Sequence, residues 1–291
     1  MPARILITGA AGNLGRGVTE LLQGRYDVTL SDRAAFPTSL PFEAADARRL
    51  DDMRRVIRPG HDVLVHTPAW HGVHAAHRPH EDYWQLNVDG TYNAVRAAAE
   101  AGIGRVVWAS SGVFYGPIRE KYAFSKQMGE AVLDHFREAF GVRSVRLRYA
   151  NFTPYRDFID YGLRMLGGGG LDRRDAAGAA ARAVEALLAG EVGDDWFDVA
   201  ADSPFTAAQA ERWRSDPWGV LAEAFPDDVD LLRRRLPADL PRELGIRRPE
   251  KLKSVLGYAP RHNFATFVEE LRERDRSGDL SAPPGYSVHA G

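Results

Sequence analysis

The sequence predicts an α/β protein, a doubly wound parallel sheet followed by a smaller, mostly helical C-terminal lobe. Three observations carry that prediction. Short apolar runs alternate with longer segments of helical periodicity up to about residue 150. The first run, Ile5-Leu6-Ile7, leads straight into a glycine-rich turn that opens a helix. From about Asn151 the alternation loosens, and a polar segment follows that has no counterpart in it.

Strands are expected at 4–7, 27–30, 62–66, 105–109 and 143–149, with helices at 14–23, 47–57, 82–101 and 122–139 between them. Right-handed crossovers would bring the C-terminal ends of all these strands to one edge of the sheet, where a ligand binds. Gly167 to Gly170 reads as a loop, Asp172 to Ala189 as an alanine-rich helix and Trp196 to Ala200 as a returning strand. The expected organisation is a core over 1–170 with 171–200 returning to it, and a substrate lobe over 201–274 containing a helical segment from Thr206 to Leu244. The tail 275–291, with Ser-Gly, Pro-Pro-Gly and no periodicity, is expected to be disordered. No internal repeat is visible.

A chain of 291 residues can bury a substantial core. No apolar run approaches bilayer length, and the first strand starts too early for a signal peptide, so a cytoplasmic protein without membrane contact is expected. With no cysteine, thiolate catalysis, disulfides and cysteine metal sites are excluded. A net charge of −2 argues against nucleic acid, which leaves Arg233-Arg234-Arg235 as a solvated helix face.

The turn reads Thr-Gly-Ala-Ala-Gly-Asn-Leu-Gly from Thr8 to Gly15. Gly9 allows a sharp turn, Gly12 has no side chain to hold a pyrophosphate off the backbone, and Gly15 lets the next helix pack on the sheet. That helix starts near Asn13 and Leu14 and aims free N–H groups at the phosphates. The plain alternative is an ordinary turn between strand and helix. Asp32 ends the next strand, where a carboxylate accepts from adenosine ribose hydroxyls and repels a 2′-phosphate, which favours NAD. Arg33 beside it keeps NADP open.

Strand 105–109 runs into Ser110-Ser111-Gly112-Val113-Phe114-Tyr115-Gly116, so a serine hydroxyl stands at the ligand edge. Tyr122 and Lys126 share one helix face. A free phenol, with a pKa of about 10, is a poor base at neutral pH. An ammonium about 4 Å away at an effective dielectric of about 20 contributes roughly 4 kcal/mol, which would bring Tyr122 near neutrality. Lys126 would also hold the nicotinamide ribose. Alone, the pair reads equally as a helix-start aromatic and a solvated lysine.

With these pieces in order, the chain resembles the extended short-chain dehydrogenase/reductases, the NAD-dependent epimerase/dehydratase family, over residues 4–260. The resemblance rests on the glycine turn, Asp32, Asp46-Ala47, Asn87 in Asn-Val-Asp-Gly-Thr, Ser111-Gly112-Val113-Phe114-Tyr115-Gly116, Tyr122 with Lys126, Arg148-Tyr149-Ala150-Asn151 and Leu256 to Pro260. It implies a Rossmann-type core with NAD, with NADP as the lesser alternative. It also implies that Ser111 binds the reacting oxygen, Tyr122 moves its proton and Lys126 tunes Tyr122. Asp46 and Ala47 would meet adenine; Thr67, Pro68, Ala69 and Asn87 would border the cofactor, and Tyr149 its carboxamide. Trp70, Gly112 and Asn151 would border the substrate. A homodimer through helices 84–101 and 122–139 is implied as well.

Departures from the family pattern narrow the reaction. Dehydratases and decarboxylases carry acidic groups where this chain has Gly112 and Val113. Only Pro117 to Lys121 separate the Tyr-Gly motif from Tyr122, a shorter link than in the epimerases, which leaves either Ser110 or Ser111 as the working hydroxyl. The short link resembles that of uronate dehydrogenases, whose chains are shorter at the C-terminus. No arginine for a nucleotide diphosphate is evident before Asp175. His66, His71, His74, His77 and His80 cluster after strand 62–66, but Pro68 and Pro79 interrupt them and no carboxylate pair completes a metal site, so solvated loop histidines are expected. The expected function is NAD-dependent hydride transfer at a carbinol of a sugar or nucleotide sugar, by an epimerase or dehydrogenase and not a dehydratase. A carbonyl reductase acting on a non-sugar metabolite and a non-catalytic NAD sensor are the alternatives.

Overall fold

The computed structural model describes residues 1–282. Seven strands, β1 (Arg4–Thr8), β2 (Asp27–Asp32), β3 (Phe42–Ala44), β4 (Val63–His66), β5 (Arg105–Ser111), β6 (Arg143–Tyr149) and β7 (Asp195–Val199), form one sheet in the order β3-β2-β1-β4-β5-β6-β7. Every pairing is parallel. The order reverses between β1 and β4, which opens a crevice at their C-terminal ends. The strand at β3 is absent from the sequence reading because three edge residues, none of them buried, have too little periodicity to register.

Alternate residues of β1 serve opposite layers. Ile5 and Ile7 pack with α1 (Asn13–Leu22) and α7 (Arg173–Ala189), while Leu6 packs with α2 (Leu50–Val56), α4 (Gly90–Glu100) and α5 (Lys121–Phe140). A strand covered on both faces is apolar throughout, which is why the run was legible. The helix expected at 82–101 is instead three pieces: a short α3 (His80–Tyr83), a π-helical turn (Trp84–Asp89) and α4. On α5, a Cβ at Gly129 would lie 2.5 Å from the Trp108 ring, so this helix lies hard against β5.

A second core joins α6 (Phe158–Leu166) and α11 (Phe264–Ser277) to the segment expected as one helical stretch over Thr206 to Leu244. That stretch is three helices, α8 (Ala207–Trp213), α9 (Pro217–Ala224) and α10 (Val229–Arg235). Local start signals divide it: Thr206 and Gln209 cap each other, and Asp216 caps α9 with Pro217 in its first turn. The expected disordered tail also starts too early, since Asp275 to Ser277 close α11, Asp275 pairs with Arg234 and Arg235, and Ser281 bridges Asp157. Residues 283–291 lie outside the described residues. Among the described residues no helix is long and apolar enough to cross a membrane.

One buried carboxylate ties the chain leading into α11 back to the core. Asp175, in the first turn of α7, accepts from the Tyr258 hydroxyl (2.8 Å), the Arg261 and His262 amides (2.9 and 2.8 Å) and His262 Nδ1 (2.9 Å). Asp175→Ala strands these donors at about 1–3 kcal/mol each where water cannot replace the carboxylate. Urea unfolding should show a loss of about 3 kcal/mol or more; a loss below about 1 kcal/mol would contradict the assignment.

Candidate active site

A cavity of about 1510 Å³ runs along the C-terminal edge of the sheet, from Asp32 and Asp46 past the glycine turn to Ser111 and Tyr122, and on to Asn151 and Arg247. The turn builds its floor. Gly9 has φ of +73°, and a Cβ there would sit 2.5 Å from the Thr67 hydroxyl and 2.8 Å from Pro68 N. Thr67 Oγ1 donates to the carbonyls of Thr8 (2.9 Å) and Gly9 (3.2 Å), stapling the end of β4 to the turn. A Cβ on Gly15 would fall 2.3 Å from the Gly9 carbonyl, so this glycine permits the approach of α1 and does not itself line the cavity. Gly12 differs: a Cβ there meets only the Gly9 carbonyl at 3.3 Å, so its bareness leaves open the space before the N-terminus of α1, whose first turn carries no acidic residue. Asn13 and Leu14 line the cavity beside it.

At one end of the cavity Asp32 Oδ2 accepts from the Ala11 amide at 2.9 Å, which fixes the carboxylate over the turn. Asp46 is gripped by the Arg48 guanidinium, which holds its carboxyl below the usual range. Arg33 is exposed, and it and Ala47 line the cavity. An anionic ligand end would meet N–H groups at α1 and a hydroxylated one the Asp32 carboxylate, so these residues fit a dinucleotide.

At the other end β5 and α5 bring together the serine, tyrosine and lysine. Ser110 donates its hydroxyl to Glu130 at 2.7 Å inside the protein, whereas Ser111 sits at the strand end facing Tyr149 in register, with its hydroxyl toward Val113 N and Tyr122. The short link places Tyr122 in the first turn of α5, its ring covered by the backbone at Gly72. Lys126 is buried; its Nζ donates to the Ala109 carbonyl at 2.6 Å and stands 4.6 Å from the Trp108 ring and 6.0 Å from the Tyr122 ring centre. Burial pushes Tyr122 up to about 12, against the pull of its Ser111 hydrogen bond. The expectation of a near-neutral phenol is therefore corrected: desolvation raises it, and the lysine 6.0 Å from its ring centre is itself pushed by burial down to about 7 while Glu130 opposes.

Asn87 departs from its expected place at the cofactor. It does not line the cavity; its Oδ1 accepts from Trp70 N (2.8 Å) and its Nδ2 donates to Trp70 O (2.8 Å) and Ser125 Oγ (2.9 Å), clamping the loop after β4 to α5. That loop sets Pro68, Ala69 and Trp70 along the cavity, and Lys121 holds it again through the Arg78 carbonyl at 2.6 Å. Gly112 lines the cavity, as does Tyr149, whose buried hydroxyl has no hydrogen-bond partner among the described residues and is pushed well up by burial. With its amide turned so that the oxygen faces Arg164, Asn151 donates to Thr153 O (2.7 Å) and accepts from Arg164 Nη1 (2.6 Å). Sequence reasoning missed Arg247. The lobe carries it to the cavity wall, its Nε on the Gly168 carbonyl at 3.1 Å, and among the described residues no carboxylate pairs with it. Arg248, by contrast, faces Asp202 and the carbonyls of Ser203 and Phe205. Only the Arg-Arg-Pro before the last core helices hinted at either.

The histidines are not uniformly solvated. His66 is 1% exposed, with Nδ1 2.8 Å from the Thr8 hydroxyl, and burial pushes it down to about 3. His71, stacked edge-on against His74, is pushed by burial down to about 4. Among the described residues no group of three or more His, Asp or Glu side chains could hold a metal ion. Because both folded values lie below that of a free imidazole, the unfolded chain binds more protons between them, and stability present above about pH 6.5 is lost as pH falls toward the folded values. His66 alone contributes a slope of about 1.4 kcal/mol per pH unit, so His66→Asn should flatten stability against pH between about pH 6 and pH 4 by that amount in urea titrations. An unchanged slope would place His66 in water.

The chain matches the NAD dependent epimerase/dehydratase family over residues 5–161. It is 28% identical to the L-arabinose 1-dehydrogenase (NAD(P)(+)) of Haloferax volcanii, with 92% of this chain and 100% of that protein covered. It is 32% identical to the UDP-glucose 4-epimerase of Azospirillum brasilense over 51% of this chain and 49% of that one. In structure it resembles an NAD-bound short-chain dehydrogenase/reductase superfamily protein from Agrobacterium tumefaciens, with a TM-score of 0.70 at 21% identity, covering 94% of this chain and 98% of that chain.

Proposed function

The chain belongs to the NAD dependent epimerase/dehydratase family, and on that premise we propose that it is an NAD-dependent sugar dehydrogenase. The observation that carries this reading is the meeting of Ser111, Tyr122 and Lys126 at one end of a cavity whose other end is built around Asp32. Likeness along nearly the whole chain to an L-arabinose 1-dehydrogenase supports a free sugar as substrate.

NAD, when bound, supplies the hydride acceptor. The bare Gly12 and the α1 amides would hold its pyrophosphate, Asp32 its adenosine ribose and Lys126 its nicotinamide ribose. Ser111 orients the substrate hydroxyl and Tyr122 takes its proton. Tyr122 and Lys126 work as a coupled pair, because the phenol gives up its proton more readily while the ammonium beside it is charged. Gly112 and Val113 offer no group for the proton transfers of dehydration.

A second reading, a nucleotide-sugar epimerase, is favoured by Arg247, a cavity cation that would suit a diphosphate, and by the likeness to a UDP-glucose 4-epimerase over half the chain. We also infer a homodimer through α4, α5 and the π-helical turn before α4, where Trp84, Tyr92 and Phe140 are exposed at 43%, 39% and 62%. An enzyme drawing on the soluble nucleotide pool fits the expected cytoplasmic location.

Incubation with L-arabinose, D-galactose and UDP-glucose, followed by absorbance of reduced nicotinamide and product analysis, separates these readings. Stoichiometric NADH with a free sugar supports the dehydrogenase; an inverted nucleotide sugar without net NADH selects the epimerase; loss of water from the product contradicts both. Tyr122→Phe should lower kcat at least ~100-fold while calorimetry shows NAD binding retained, and near-wild-type turnover would remove Tyr122 from the mechanism. Asp32→Ala should narrow a wild-type preference for NAD over NADP; a wild type that prefers NADP would give the deciding contact to Arg33.

A further inference from the structure

Glu130 lies one helical turn beyond Lys126 on the face of α5 that also carries Tyr122. Its side chain is 4% exposed and forms a forked pair with Arg148, whose side chain is 6% exposed. Oε1 accepts from Ser110 Oγ at 2.7 Å and Arg148 Nε at 2.9 Å, and Oε2 accepts from Arg148 Nη2 at 2.7 Å. Arg148 is flanked by Phe114 at 3.7 Å and Trp196 at 4.2 Å, and its Nη1 donates to the Tyr115 hydroxyl at 2.8 Å. One carboxylate thus holds the residue before Ser111 and the residue before Tyr149, from the helix that carries Tyr122 and Lys126.

A buried ion pair of this kind is weak evidence for stability, because well-packed apolar residues often serve as well or better. Its placement is what distinguishes it. We propose that Glu130 is a positioning residue, whose carboxylate fixes Ser111 through Ser110 and supplies the negative charge facing Lys126. The groups around Lys126 are Tyr122 and Glu130 on α5, His66 at the end of β4 and His71 in the loop after it, with Arg148 on β6 behind the glutamate. His66 and His71 are held neutral by burial, and Arg148 is matched by Glu130 itself. Among the described residues Glu130 is the carboxylate whose charge acts on Lys126. The catalytic consequence rests on the dehydrogenase reading above; the effect on Lys126 does not.

The chain has four lysines, Lys121, Lys126, Lys251 and Lys253, so 13C-labelled lysine gives few signals, and Lys126→Arg assigns the one needed. The titration of Lys126 is followed by NMR in wild type, Glu130→Gln and Ser110→Ala. The expected result is a midpoint about one pH unit lower in Glu130→Gln, a tenfold change in the equilibrium, and an unmoved midpoint in Ser110→Ala. In sugar oxidation Glu130→Gln should lower kcat about tenfold at neutral pH with little change in KM, and move the alkaline rise to higher pH, because Tyr122 then has less positive charge beside it. Ser110→Ala should lower kcat without moving that rise. A folded Glu130→Gln in which Lys126 titrates as in wild type overturns the proposal. Where that variant does not fold, Glu130→Gln with Arg148→Met removes both charges; loss of the more distant guanidinium acts in the opposite sense, so a smaller lowering of the midpoint is expected, and an unchanged or raised one overturns the proposal. A lowered midpoint in a protein that oxidises none of the sugars upholds Glu130 and contradicts the dehydrogenase reading instead.

Discussion

At the point where the strand order reverses, the backbone leaves β1 through Gly9 at a left-handed φ that favours glycine, and three elements close around that turn. Thr67 from the end of β4 binds the Thr8 and Gly9 carbonyls, Ala10 N donates to Ser31 O at 3.1 Å, and Ala11 N donates to Asp32. The close approach of α1 needs Gly15 against the same carbonyl. Disturbing this turn would move the α1 N-terminus, the Asp32 carboxylate and the loop that covers Tyr122 together. The cavity is in this sense a consequence of one backbone constraint, with the lobe adding its far wall.

The end of the cavity at Tyr122 and Lys126 follows a different physics. Burial strips water from Tyr122 and Lys126, which drives the phenol up and the ammonium down, so each is pushed toward its neutral form. Spacing on the helix alone cannot overcome that penalty. A charge-separated pair needs other charges in the same dry region, and the forked Glu130–Arg148 pair lies on the same helix face and reaches Ser110. Desolvation gives such a charge more effect than it would have at the surface.

Much of this was legible where the determinants are local. A strand buried on both faces is apolar at every position, a glycine turn has its own spacing, and Tyr122 with Lys126 needs only one helical turn. What escaped notice depends on tertiary contact. Glu130 reads as any helix glutamate until β6 sets Arg148 against it, and Arg247 reaches the cavity only because the lobe folds back over Gly168. Asn87 matches its motif yet faces Trp70 and Ser125, since a π-helical turn interrupts the helix that periodicity drew as continuous. The strand at Phe42–Ala44 and the divisions among α8, α9 and α10 are set by edge pairing and by caps, which periodicity does not see.

The most direct test of hydride transfer in this cavity follows the hydrogen itself. The protein is incubated with NAD and with L-arabinose or D-galactose carrying deuterium at C1, and the reduced nucleotide is isolated and weighed by mass spectrometry. The account predicts that the nucleotide gains one deuterium, transferred as deuteride to the nicotinamide ring, while the sugar loses it. Reduced nucleotide without deuterium, or deuterium released to water, would contradict it.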